Sequence, residues 1–148
     1  MNTIRYLNQV KNLNNRINDM IEDVERLREL ATKVSVGEQD PDRVQTSGPS
    51  DKVGNIVVKI CDMQNDINKK IDEYVDLKET ITRQINCFWE TDNHYAEILY
   101  KRHILFKSFS EMAKEMNYSF DHVKRIYYRA VYAFENRFGK NYLQDDTK

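Results

Sequence analysis

The sequence predicts an all-α protein: a long N-terminal antiparallel helical hairpin, coiled-coil-like in its spacing, followed by a small three-helix domain. Three observations predict it. The 148 residues hold only four Gly and two Pro, so few positions interrupt a helix. Residues 1–90 repeat their apolar positions at steps of three and four, the period of a helix face. Of the 16 aromatic residues, 14 lie between Phe88 and Tyr142, enough buried bulk for about 55 residues to form a compact core.

In the first helix Val10, Leu13, Ile17, Met20, Val24, Leu27, Ala31 and Val34 alternate threes and fours, which is coiled-coil spacing. Leu7, Ile21 and Leu30 widen the stripe, and so broad an apolar face needs a partner helix. Val10, Leu13, Ile17, Met20, Val24 and Leu27 are therefore the candidate oligomerisation residues, with pairing inside one chain and pairing between chains equally compatible with the spacing. Residues 35–50 hold two of the four Gly and both Pro and read as a loop. Ser50 or Asp51 can cap a second helix of about 38 residues, roughly 57 Å long. Its expected stripe is Val53, Val57, Ile60, Met63, Ile67, Ile71, Tyr74, Leu77, Ile81, Ile85 and Phe88. Threes and fours do not alternate strictly around Ile67–Leu77, which suits an antiparallel hairpin or bundle better than a two-stranded zipper. Residues 1–90 thus form the hairpin, 91–140 the second domain and 141–148 a tail.

Three helices are expected in that domain, at about Tyr95–Leu105, Phe109–Met116 and Phe120–Phe138. Ser108 and Glu111 have the spacing of a capping box, Asn117 stands where a left-handed turn residue is needed, and Ser119 can cap the third helix. The inward face of that helix reads Phe120, Val123, Ile126, Tyr127, Ala130 and Phe134. Met112, Ala113, Asn117, Val123 and Ile126 supply the core of a helix-turn-helix: a small residue at the crossing, a residue that tolerates positive φ, and β-branched residues that hold the second helix down.

Opposite the core stripe, Asp121, Arg125, Tyr128 and Tyr132 face outward, flanked by His122, Lys124 and Arg129. Such a face suits a major groove, because arginine bonds guanine edges bidentately while tyrosine, lysine and a helix N-terminus reach phosphates. Lys101, Arg102 and Lys107 stand just before the motif and add candidate backbone contacts. The net charge of −1 conceals an asymmetry: residues 1–91 carry 13 Lys+Arg against 16 Asp+Glu, whereas 95–140 carry nine against five. The candidate partner is double-stranded DNA, read by a homodimer that places two such helices on repeated half-sites.

Other classes find less support. Cys61 and Cys87 would lie roughly 39 Å apart on one helix, out of disulfide reach, and fit a reducing compartment. His94, His103 and His122 have no metal-ligand spacing. No Gly-rich phosphate loop, nucleophile elbow or paired-His motif marks an enzyme or a cofactor site, so neither is expected. No apolar run reaches a membrane span, and Met1–Val10 lacks the order of a secretion signal, so the cytoplasm is expected. The rival reading is a phage packaging or assembly subunit that joins a helix-turn-helix to an oligomerising helical region; a helical protein-interaction module is a third.

The stretch AEILYKRHILFKSFSEMAKEMNYSFDHVKRIYYRAVYAF resembles the last helical domain of bacterial sigma factors, which ends in a helix-turn-helix. The whole chain resembles small phage and prophage proteins of Gram-positive bacteria, the sigma-like or late-gene transcription regulators. The matching pieces are Ile17–Lys33, Arg43–Asp51, Asp76–Ile85 and Ile98–Ala130. This resemblance implies sequence-specific binding at a promoter in the host cytoplasm, with contact to host RNA polymerase. The promoter-melting parts of a complete sigma factor are missing from it.

Overall fold

The computed structural model describes residues 1–37 and 48–146, and among them all regular structure is helical. The α-helices are α1 (Thr3–Leu7), α2 (Gln9–Gly37), α3 (Gly48–Asn86), α4 (Asn93–His103), α5 (Phe109–Met116) and α6 (Phe120–Phe138), followed by short 3-10 turns at Gly139–Asn141 and Leu143–Asp146. The all-α class is the one the sequence predicts. The predicted loop is trimmed at both ends, and its residues 38–47 lie outside the described residues. Neither Ser50 nor Asp51 caps α3, which begins earlier, at Gly48-Pro49. A first-turn N–H has no carbonyl to bond, so proline loses nothing there. Asp51 instead lies in the first turn, where the helix dipole favours a carboxylate.

The chain divides into two compact units, and the division is not at residue 90. One unit joins Met1–Leu13 to Tyr74–Lys148; the other is Asn14–Glu73. The reason lies in the core of the first. Leu7, Val10, Ile81 and Ile85 are fully buried in the same cluster as Phe88, Ile98, Leu99, Met112, Val123 and Phe134. Each such side chain contributes about 1.5–3 kcal/mol on full burial, and the 55 aromatic-rich residues cannot cover their own core without α1 and the end of α3. Phe134 sits at its centre, with the rings of Tyr6, Phe88, Phe138 and Tyr142 5.1–6.4 Å away, centre to centre.

Polar bonds fasten α1 into this unit. The Asn2 side chain caps it by accepting from the Arg5 amide at 2.8 Å. The buried Thr3 hydroxyl donates to the Glu135 carboxylate and accepts from the Tyr142 hydroxyl at 3.0 Å. Tyr6 stacks on Tyr142 and donates to Gln84.

In the second unit Ile17, Val24 and Ile67 are buried, and Met20, Leu27, Ala31 and Val34 are partly so. The expected stripe of α2 is therefore the covered one, except that Ile21 and Leu30 stay exposed. On α3 as far as Glu73 the covered positions are Val53, Ile56, Ile60, Met63, Gln64, Ile67 and Lys70, which step by threes and fours apart from Gln64, while Val57 and Ile71 of the expected stripe are exposed. Lys70 takes the place expected for Ile71: it is partly covered, and its ammonium pairs with Glu73 at 3.1 Å, as the long stem of a lysine permits. Of the candidate oligomerisation residues, Val10 is fully buried in the first unit and Ile17 and Val24 are buried in the second, within a single chain, and Leu13, Met20 and Leu27 are partly covered.

Candidate functional site

Local chemistry fixes the α5–α6 pair before any long-range contact does. The Ser108 hydroxyl accepts from the Glu111 amide at 3.1 Å, and the Ser119 hydroxyl accepts from the His122 amide at 3.2 Å. Between them Asn117 takes φ 54° and ψ 40°, the left-handed conformation that asparagine tolerates better than most residues. Its N–H and that of Tyr118 both bond the Ala113 carbonyl, closing α5. Of the expected capping box only the serine half forms; Glu111 is exposed.

Met112 and Val123 are fully buried between the helices, Ala113 and Ile126 are partly buried against the same core, and Asn117 is exposed at the turn. Phe120 departs from expectation. Placed in the first turn of α6, it is 46% exposed and meets the Phe109 ring nearly at a right angle. The inward position it was expected to fill goes unmatched at that end of α6, and Val131, 8% exposed, extends the buried face toward the other end.

The outward face of α6 is as the periodicity predicts. Asp121, Arg125, Tyr128, Arg129 and Tyr132 are exposed, and His122 and Lys124 are partly so. Tyr128 and Tyr132 leave 53% and 68% of their surface in water. The Arg125 and Arg129 side chains have no hydrogen-bond or ion-pair partner among the described residues, as is true of Arg16 on α2, whereas Arg26, Arg28 and Arg83 on the long helices each pair with a carboxylate. Lys124 stands over the Phe120 ring at 5.6 Å and His122 meets the Tyr118 ring edge-on.

The three cations before the motif are placed differently. Lys101 pairs with Glu115 at 2.8 Å and Glu97 at 3.4 Å, and Lys107 pairs with the other oxygen of Glu115. Hydrogen bonds from the two lysines hold the Glu115 carboxyl below its ordinary range, and the bond to Glu115 raises Lys101. Arg102 donates to the Lys107 carbonyl at 2.9 Å and lies over the Phe109 ring at 4.5 Å. These side chains brace the α4–α5 connection, where Phe106 adopts a positive φ of 59°. Apart from the i,i+4 pair of Lys101 with Glu97, these partnerships have no periodic signature, since they join residues across a turn.

Sequence reasoning also passed over His103. It is buried in α4 and its Nε2 lies 3.0 Å from the Tyr127 hydroxyl of α6, while its Nδ1 has no partner. Burial, with Arg102 and Lys11 adding positive charge nearby, drives its pKa down to about 3, so the ring is neutral at pH 7. Burial likewise pushes the Tyr127 phenol up to about 12. The pair ties α4 to α6 and faces no open surface.

Among the described residues no three potential metal ligands gather in one place, and no helix is long and apolar enough to cross a membrane. Cys61 and Cys87 are both free and exposed. No protein-family profile, curated protein or solved structure matches the chain.

Proposed function

We propose that the chain is a sequence-specific DNA-binding transcription regulator of the phage sigma-like kind, with α6 laid in the major groove. One observation carries the reading: a helix seated through a left-handed turn on a capped predecessor presents Arg125 and Arg129 without partners beside the exposed Tyr128 and Tyr132. Two unpaired guanidinium forks four residues apart lie on one helix face, and each can bond O6 and N7 of a guanine. The tyrosines and the first turn of α6, with Lys124 and His122, reach the flanking phosphates. Action at a promoter beside host RNA polymerase, in the host cytoplasm, rests on the resemblance of residues 98–130 to the last domain of sigma factors.

Because the α2 stripe is largely covered within one chain, the proposed form binds through one α6 per chain and does not need two half-sites joined along that stripe. The test is recovery of fragments of the source genome on the purified protein, then titration of the best fragment across salt. The expected result is one promoter-proximal site whose affinity falls steeply with salt, by a slope near −0.9 per phosphate contacted. Equal retention of all fragments, or none, by a folded protein refutes it.

A further inference from the structure

The Lys101–Glu115–Lys107 cluster does more than join α4 to α5. Both oxygens of one carboxylate are engaged by two ammonium groups, at 2.8 Å from Lys101 and at hydrogen-bond contact from Lys107, and both lysines are mostly covered, with 19% and 28% of their side chains exposed; Lys101 also pairs with Glu97 at 3.4 Å, so Lys107 is the lysine that Glu115 alone holds. Glu115 is the more open member at 37%. A bidentate oxyanion between two cations is the arrangement in which a phosphate would sit. The cluster is linked to the proposed reading helix through a chain of neighbouring contacts. Arg102, next to Lys101 and bonded to the Lys107 carbonyl, lies on the Phe109 ring; Phe109 meets Phe120 in the first turn of α6; and Lys124 stands over Phe120.

We propose that Glu115 is an internal substitute for a DNA phosphate: it occupies a two-lysine anion site linked to the start of α6 and competes there with the nucleic-acid backbone. This rests on the DNA-binding reading above. The competition lowers non-specific affinity, which comes almost wholly from phosphate contacts, while leaving the base-reading side chains of α6 untouched. Only DNA whose bases engage Arg125 and Arg129 would hold its backbone against the site long enough to displace the carboxylate.

The experiment compares wild type, Glu115→Gln and Glu111→Gln on a random-sequence duplex and on the best genomic fragment, across a tenfold range of salt. Glu111 lies one turn earlier on α5, is exposed and bonds neither lysine, so its substitution controls for the lost charge. The expected result is that Glu115→Gln alone steepens the salt slope on random DNA by up to about 1.8. That is up to about a 60-fold larger change in affinity over the tenfold range, from two added phosphate contacts. Adding Lys101→Met and Lys107→Met to Glu115→Gln should return the slope to the wild-type value. Equal effects of Glu115→Gln and Glu111→Gln, or no effect of either, overturn the proposal while leaving the DNA-binding reading in place. Absence of DNA binding by all the folded proteins overturns both.

Discussion

Lowering the pH from 7 to 5 should destabilise the first unit through His103. In the folded chain the ring resists protonation down to about 3, because it is buried and because Arg102 and Lys11 oppose a third positive charge; in the unfolded chain it titrates at 6.5. Between those values the unfolded state binds a proton that the folded state refuses. The stabilisation is thus complete above 6.5, declines as pH falls, and continues to decline until about 3. Integrated from pH 7 to 5, the loss is about 2 kcal/mol, or a fall in Tm of about 4–8 °C for a chain of this size. Most carboxylates begin to titrate only below this window. Urea unfolding followed by circular dichroism and by Trp89 fluorescence at both pH values measures the change. His103→Gln keeps a partner for the Tyr127 hydroxyl and cannot titrate, so subtracting its pH response removes every other group. Wild type should lose about 2 kcal/mol more than the variant; equal losses would show that His103 is not held neutral by the fold.

Other perturbations test separate links. Asn117→Ala should cost about 1 kcal/mol, since alanine lacks the local bonds that ease a left-handed conformation, and Asn117→Gly should cost less; chemical denaturation orders the three. Ser119→Ala should lose about 1 kcal/mol with its bond to the His122 amide, measured in the same way. Ile17→Asp places a charge in a covered seam and should lower stability by more than about 3 kcal/mol, whereas Ile21→Asp, on an exposed flank, should change it by less than about 0.5 kcal/mol; thermal melts of both measure the difference. Arg125→Ala should weaken the genomic site by about 1–3 kcal/mol and random DNA much less, with competition titration as the readout.

Local signals were the legible ones. The bounds of α5 and α6, both serine caps, the left-handed Asn117 and the outward set on α6 follow from caps and periodicity, because those effects act within four residues. The stripe of α2 was readable for the same reason. The stripe of α3 departs from its expected course at Lys70, because a polar residue signals exposure in a sequence although a lysine stem can lie along an apolar face. Membership of the first unit was not legible at all. Leu7 and Val10 fit the helical repeat of α2 and the terminal core equally well, and nothing in the spacing says which one claims them. The bracing role of Lys101, Arg102 and Lys107 was hidden likewise, since opposite charges 14 and eight residues apart meet only after the turn at Phe106 has formed.

The bonds of Thr3 to Glu135 and Tyr142 span 132 and 139 residues. On a ribosome the Thr3 end must therefore wait until Tyr142 has been made before its unit can close, and α2 and α3 are made during the wait. Closing so long a loop is entropically slow. A fragment that starts at residue 91 would lack Leu7, Val10, Ile81 and Ile85 and leave Phe134 bare on one side. The minimal piece able to fold as this unit is thus discontinuous in sequence, and making it means bringing residues 1–13 together with those from 74 onward.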